Sequence, residues 1–222
     1  MIIGVPTEVK NNENRVGLTP RSVKSIVESG HEVNIQENAG ANIGYLDNEY
    51  INAGAKLVET AEAWDVALKT DGPTVLALSR QGLKAFRSEK TNKNLVSNGG
   101  YILNNISKDR DITLIATGSE IEIAMEASEI MYKEGIKATV VSLPCWELFD
   151  KQSEEYKNQV LGNCPRIAIE AASEMGWSKY IGEKGIFIGM KSFGASGPAS
   201  DLYNHFNITS KSIIDSAKLL LK

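Results

Sequence analysis

Short strand-like segments alternate with helix-like segments along this 222-residue sequence, and that alternation limits the possible folds more than any other feature. The predicted strands are short apolar runs rich in Val, Ile and Thr, at residues 2–5, 32–35, 74–78, 113–116, 139–142, 166–169 and 186–188. A chain of this kind forms an α/β fold, in which helices cover the faces of a largely parallel sheet.

Helix boundaries are marked by capping residues. The first helix is predicted to begin after Thr19, with Pro20 at its first position, and to end at Gly30. A second is predicted from residues 119–135, closed by Gly135, and the strand after it completes a β-α-β unit with parallel strands. Its predicted apolar face is Ile123, Ala127, Ile130 and Met131. The last helix begins near Thr209, and its predicted apolar stripe is Ile213, Ile214, Ala217, Leu220 and Leu221.

Charge and hydropathy exclude several classes of function. Lys and Arg total 24 against 28 Asp and Glu, a net charge of −4, which predicts no binding to nucleic acid or to an anionic membrane. No stretch approaches 18 apolar residues, and the opening MIIGVPTEVK is too short and too charged for a signal peptide. We therefore expect a cytoplasmic protein.

Cysteines and histidines give no sign of a metal site. Cys145 and Cys164 stand alone, without a CxxC spacing, so they predict core or near-core residues rather than zinc ligands or a disulfide framework. Of the two histidines, His31 lies in a turn between helix and strand, where a surface position is expected, and His205 lies near the far end of the sequence. No GxGxxG follows any strand, so no NAD site is predicted.

The ATGSE turn, residues 116–120, has two interpretations. Its free N–H groups could hold an anion, but Thr117 with Glu120, or Ser119 with Glu122, fits a capping box that would occupy them, and we favour the cap. Pro198, like Ser196, suits the start of a helix. The aromatic residues Trp146, Trp177 and Tyr180 are expected to fill a domain or subunit surface rather than to stack on bases.

The first 57 residues resemble the start of alanine dehydrogenase and of the related transhydrogenase α subunit. The resemblance rests on GVPTEVKNNENRVGLTP, ESGHEV, ENAGANIGYLDNEY and AGAK. It implies that Arg15, in the ENRV segment, binds the carboxylate of pyruvate, which suits a planar guanidinium. After Val58 the sequence departs from that family, because the substrate-binding Lys, the catalytic His and the Rossmann domain are missing.

From about residue 59 onward the sequence resembles the C-terminal part of transketolase. The matching segments, in the family's order, include ETAEAWDVAL, DGPTVLALSRQ, ITLIATGSEIEIAMEA, RIAIEAASEMGWSKYIG and GMKSFGASGPASDLYNHF. The resemblance implies that Arg80, in the LSRQ segment, helps to bind the phosphate of a sugar substrate. It also implies a homodimer. In the family, thiamine diphosphate and Mg²⁺ are held by groups upstream of this part, so the resemblance predicts no catalytic, cofactor or metal residues in these 222.

The sequence is therefore interpreted as a chimera of two families, with its junction between Lys56 and Ala63. We expect a partial α/β unit over residues 1–57, the end of a pyrimidine-domain-like segment over 58–80, a linker over 81–98 and a transketolase C-terminal domain over 99–222. The resemblance predicts a three-layer α/β domain on a mainly parallel sheet of about five strands, the first antiparallel. The N-terminal unit should have about three strands and should dock on the helix and strand of residues 59–80 or self-associate.

Three functions are consistent with this interpretation. The first is a catalytically incomplete module for binding or dimerisation. The second is a subunit of a split thiamine-dependent transketolase, completed by a separate chain that carries the thiamine-binding domains. The third is a sensor of 2-oxo acids, in which Arg15 binds pyruvate.

Overall fold

The computed structural model describes residues 2–5, 14–58, 62–77, 83–84, 86–87, 93–104 and 109–222. They divide into two compact units, Met1–Ala77 and Leu78–Lys222.

The first unit is built on a small parallel sheet. Its strands are β1 (Ile2–Val5), β2 (Glu32–Gln36) and β3 (Lys56–Val58), in the order β1-β2-β3. Its helices are α1 (Pro20–Glu28), α2 (Asp47–Asn52) and α3 (Glu62–Lys69). Val23 of α1, Tyr50 of α2, and Val33 and Ile35 of β2 are fully buried together, so α1 and α2 supply the core of this unit.

The predicted caps of α1 are confirmed. The Thr19 hydroxyl accepts a 3.3 Å hydrogen bond from the Ser22 N–H, and Pro20 is the first helical residue. Gly30 follows the helix with φ of 82°, a left-handed conformation that glycine adopts without steric cost.

The second unit contains the larger sheet. Its strands are β4 (Tyr101–Ile102), β5 (Ile112–Ala116), β6 (Ala138–Ser142), β7 (Arg166–Ile169) and β8 (Ile186–Ile188). Its helices are α4 (Glu120–Lys133), α5 (Trp146–Asp150), α6 (Glu154–Leu161), α7 (Ser178–Ile181), α8 (Ala199–His205) and α9 (Ser210–Leu220).

This sheet has the order β4-β6-β5-β7-β8, with β4 antiparallel to β6 and the other pairs parallel. Successive residues of β5 point to opposite faces. Leu114 packs with α4 and α9 on one face, and Ile115 packs with Phe149 of α5 and Trp177 on the other. The predicted three-layer α/β architecture, including the antiparallel first strand, is confirmed.

One predicted strand is wrong. Residues 74–77 of the predicted strand at 74–78 form no strand, and Val75 is 90% exposed; residue 78 lies outside the described residues. A β-branched apolar run becomes a strand only where a neighbouring strand offers hydrogen-bond partners. Within the described residues, 74–77 pair with no strand.

The start of α4 corrects the predicted capping box. Neither Thr117 nor Ser119 caps the helix with its side chain, because the Glu120, Ile121 and Glu122 N–H groups bond to the main-chain carbonyls three residues earlier. The buried face of α4 is also shifted from the prediction. Ala127 and Met131 are buried as expected, but Ile121 and Ala124 are buried in place of the half-buried Ile123 and Ile130.

Other local predictions are confirmed. Thr209 caps α9, whose Ile213, Ile214 and Ala217 are buried, although Leu221 lies beyond the helix and is 38% exposed. The aromatic prediction is different in outcome: Trp177, edge-on to Trp146, and Tyr180, tilted against it, are each 2% exposed, so they fill the core and not the predicted domain or subunit surface. Both cysteines are half-buried and unpaired, and His31 is exposed.

None of the described helices is long and apolar enough to span a membrane.

Candidate functional site

Of the two arginines singled out by the sequence, the structure describes only Arg15. Arg15 lies in the first unit, in the segment before α1, and is exposed. Arg80 lies outside the described residues, so its predicted role in phosphate binding stays a prediction.

The topology of the second unit points to a different place. The chain passes from β5 to β6 on one side of β5, and it returns to β7, and then to β8, on the other side. The carboxyl ends of β5 and β7 are therefore neighbours at a point where the strand order reverses, which is where open α/β sheets form ligand-binding crevices. The turns after these two strands carry the side chains considered next.

Glu120 and Tyr203 are joined at this point. Glu120 follows the turn after β5 and is only 3% exposed. The Tyr203 hydroxyl, from α8, donates a 2.7 Å hydrogen bond to Oε1 of Glu120 and lies 3.0 Å from the Ser119 Oγ. Burial raises the pKa of Tyr203 to about 12, and the neighbouring carboxylates add to that shift. Tyr203 is therefore a hydrogen-bond donor at every physiological pH.

Glu170 directly follows β7, and its N–H donates a 3.1 Å hydrogen bond to the Ile188 carbonyl of β8. Its Oε2 atom is buried and has no hydrogen-bond partner among the described residues. Burial, reinforced by the negative charge of Glu120, raises the pKa of Glu170 to about 8. At neutral pH the Glu170 carboxyl is mostly protonated, so it can donate a hydrogen bond.

An apolar cavity of about 230 Å³ lies at this end of the sheet, and neither Glu120 nor Glu170 is among its lining residues. Ala171, which follows Glu170, lines it together with Tyr203. The remaining lining residues are apolar or glycine, namely Met190, Gly194, Ala195, Ala199, Leu202, Phe206 and Ile208. We use the name Glu170 crevice for this cavity together with three residues: Tyr203, which lines it, Glu120, which is bonded to Tyr203, and Glu170, which directly precedes the lining residue Ala171. An apolar pocket with a few polar groups and a perturbed pKa is the usual form of a small-molecule site.

The charges of the Glu170 crevice select between ligands. The Glu120 charge repels an anion, and the protonated Glu170 can donate to a neutral acceptor such as a carbonyl oxygen. The described residues hold no group of three or more His, Cys, Asp or Glu side chains that could bind a metal ion.

Sequence reasoning did not single out Glu170 or Tyr203. It considered Glu120 only as part of a capping box, although its carboxylate accepts from Tyr203 instead. One available signal was the placement of Glu170 directly after a buried strand, since the carboxyl ends of parallel strands share an edge of the sheet. No sequence pattern pairs Glu120 with Tyr203, because 83 residues separate them.

Comparison with known proteins finds two families along the chain. Residues 99–209 match the family described as the transketolase-like TK C-terminal domain, and residues 4–91 match that described as the alanine dehydrogenase/PNT N-terminal domain. Transketolase from Sinorhizobium medicae is 50% identical over 170 residues, which cover 76% of this chain and 24% of that protein. Chloroplastic transketolase-1 from Arabidopsis thaliana is 48% identical over 165 residues, covering 72% of this chain and 22% of that protein.

A solved structure agrees with the transketolase match. A transketolase structure from Leishmania mexicana has a TM-score of 0.66 and 30% identity, and it covers 90% of this chain and 32% of that one. This chain thus spans about a quarter of the length of the curated relatives it matches. The two similarities overlap along the chain. The transketolase alignment covers 76% of this chain and the other family match covers residues 4–91, so the two aligned lengths add up to more than the length of the chain. The predicted junction between Lys56 and Ala63 lies within that overlap.

Proposed function

Because this chain belongs to the transketolase family through its C-terminal domain, residues 99–209, we propose that it is a small-molecule-binding and dimerisation module. It does not catalyse ketol transfer by itself. This part of the proposal rests on the family resemblance, which assigns the binding of thiamine diphosphate and Mg²⁺ to groups upstream of the matched part. We also place this module in the cytoplasm, in keeping with its composition.

The ligand of this module occupies the Glu170 crevice. The observation that carries the proposal is the buried, unpartnered Oε2 of Glu170, the residue directly before Ala171, which lines an apolar cavity at the reversal of strand order. A buried polar atom without a partner is costly, and a ligand that accepts a hydrogen bond there removes that cost. The ligand class is therefore a small neutral molecule with an apolar body and a carbonyl or similar acceptor.

Three probes with one benzene ring and different charges test this ligand class. Benzamide is neutral, benzoate is an anion and benzylammonium is a cation. In ¹H–¹⁵N NMR spectra of the full chain at pH 6.5, benzamide should shift the amide signals of Ala171, Leu202 and Tyr203, and benzoate should not. Raising the pH above 8 should weaken benzamide binding, because Glu170 then loses its proton.

Two variants locate the effect. Glu170→Gln keeps a hydrogen-bond donor, so it should bind benzamide without the pH dependence, whereas Glu170→Ala should lose binding. Equal shifts with benzoate, or no shift at those three residues with benzamide, would overturn the proposed ligand site.

The lack of independent catalysis is tested separately. The purified chain should show no ketol transfer when supplied with thiamine diphosphate, Mg²⁺, a ketose phosphate and an aldose phosphate. Turnover by the chain alone would refute this part of the proposal. Turnover only after a second chain with thiamine-binding domains is added would support the split-transketolase alternative.

The roles of Arg15 and Arg80 in binding pyruvate and sugar phosphate rest on resemblance to the two families. Calorimetric titrations of the chain with pyruvate and with a ketose phosphate test them one at a time. Heat with pyruvate that disappears in Arg15→Ala would support 2-oxo-acid sensing, and unchanged melting in millimolar pyruvate would contradict it. Heat with the ketose phosphate that disappears in Arg80→Ala would identify the phosphate site.

Two exposed apolar side chains of the second unit support homodimerisation. Met175 and Phe193 are 84% and 98% exposed, and they lie in the loops after β7 and β8. A 2.9 Å hydrogen bond from the Met190 N–H to the Ala172 carbonyl joins these two loops. Large exposed apolar side chains in two connected loops favour a surface that another chain covers. A second copy of this chain is the partner we propose.

A further inference from the structure

A second cavity, of about 490 Å³, lies at the open edge of the larger sheet. The strand β8 pairs only with β7, so its other edge has no neighbouring strand among the described residues. All three residues of β8 line this cavity, and residues of α8, α9 and the segments after β8 and α8 complete it. We call it the β8-edge cavity. It shares only Phe206 with the lining of the Glu170 crevice.

The polar residues of the β8-edge cavity are all basic or neutral. The basic side chains are Lys191 and His205, and hydroxyl groups come from Ser192, Ser212 and Ser216. No Asp or Glu lines the cavity, although acidic residues outnumber Lys and Arg in the sequence by 28 to 24. Within the described residues, Lys191 forms no ion pair. Its charge is therefore available to a ligand.

Two of the hydroxyl groups that line the β8-edge cavity belong to residues of α9. Ser212 and Ser216 lie one turn apart and are half-buried, so they face the same side of the helix. The adjacent stripe, Ile213 and Ala217, is fully buried against the sheet. Ser212 lies in the first turn, 3.0 Å from the Thr209 hydroxyl, where the helix dipole also favours negative charge.

We propose that the β8-edge cavity binds the phosphate group of a small phosphorylated molecule. Lys191 supplies the charge, and the Ser212 and Ser216 hydroxyls donate hydrogen bonds to the phosphate oxygens. The cavity volume lies in the range of small-molecule sites, so it has room for a phosphate and a short carbon chain. The proposal does not depend on the Glu170 crevice, which selects against anions.

Three probes that share a three-carbon backbone separate phosphate recognition from its alternatives. Glycerol 3-phosphate carries the phosphate, glycerate carries a carboxylate and glycerol carries neither. In calorimetric titrations of the full chain, glycerol 3-phosphate should bind, glycerate should bind at least about tenfold more weakly and glycerol should give no heat. Binding should weaken as salt is raised, because the attraction is ionic.

Variants tie the binding to the cavity. Lys191→Gln should raise the dissociation constant by about tenfold, since a charged hydrogen bond contributes on the order of 1.5 kcal/mol. Ser216→Ala should raise it by a few-fold, and it leaves the Lys191 charge in place. The matched control is Lys151→Gln, because Lys151 is also exposed in this unit but lies outside the cavity lining. Circular dichroism confirms that each variant is folded.

The inference fails if glycerol 3-phosphate gives no heat, if glycerate or glycerol binds as tightly, or if Lys151→Gln weakens binding as much as Lys191→Gln. Since benzamide probes the Glu170 crevice, loss of phosphate binding with benzamide binding intact would overturn only the present inference.

Discussion

The Tyr203 hydroxyl donates a 2.7 Å hydrogen bond to Oε1 of Glu120, across 83 residues of sequence. This contact connects α8 to the turn after β5, and Glu120 is 3% exposed. Tyr203→Phe removes the donor and leaves a buried carboxylate with one partner fewer, so it should lower the free energy of unfolding by about 1–3 kcal/mol. Urea denaturation measures the change.

The control for this substitution is Tyr132→Phe. Tyr132 is 62% exposed on α4, and its hydroxyl forms no hydrogen bond within the described residues. Its substitution should change stability by less than about 0.5 kcal/mol. An equally small effect of Tyr203→Phe would show that the Glu120 contact is not important for folding.

Stability should depend on pH through Glu170. Its pKa is raised from 4.5 to about 8, so between these values the folded chain holds a proton that the unfolded chain has lost. The contribution of this group to stability is complete below pH 4.5 and decreases until about pH 8. After allowance for solvent screening, the free energy of unfolding should decrease over this pH range by on the order of 2–3 kcal/mol. Glu170→Gln should remove this decline.

Urea denaturation at about pH 5 to 9, a range that spans the raised pKa, provides the test, with Glu183→Gln as the control. Glu183 is exposed, so the pH dependence of that variant should match that of the original chain. A decline of the same size in Glu170→Gln would assign the pH dependence to another group.

Gly99 should tolerate no side chain. Its φ is 75°, and a Cβ there would collide with the Phe149 backbone nitrogen in α5. Gly99→Ala therefore combines an unfavourable backbone conformation with a backbone clash, and it should destabilise by more than about 3 kcal/mol. Thermal unfolding followed by circular dichroism measures the effect.

Gly135→Ala is the matched comparison, because Gly135 has φ of 85° but no atom lies within 4 Å of the place that an alanine methyl group would take. It should cost about 1 kcal/mol, from backbone conformation alone. If the two alanine variants melted at the same temperature, the close approach of Gly99 to α5 would make no difference to the stability of the fold.

Association should depend on Phe193. Sedimentation equilibrium of the 24.2 kDa chain should give about twice that mass. Phe193→Ser removes the most exposed apolar side chain of the loop after β8, so it should shift the equilibrium toward the monomer. Leu219→Ser is the control, since Leu219 is 65% exposed but lies on α9, outside the loops after β7 and β8. A monomer at all concentrations, or equal effects of both variants, would contradict the proposed interface.

Local chemistry determined much of this protein from the sequence alone. The caps Thr19 and Thr209, the glycine after α1 and six of the seven predicted strands depend on neighbouring residues, so their patterns could be read directly. The two family resemblances were likewise carried by continuous segments, and the antiparallel first strand of the larger sheet followed from one of them.

Only the tertiary structure decided what depends on distant residues. Residues 74–77 have the composition of a strand but pair with no strand within the described structure, and strand formation requires such a neighbour. Glu120, Glu170 and Tyr203 come together because the strand order reverses between β5 and β7, which no local pattern encodes. Burial then gives Glu170 its raised pKa, and burial is a property of the folded chain, since the same carboxyl in an unfolded chain is surrounded by water.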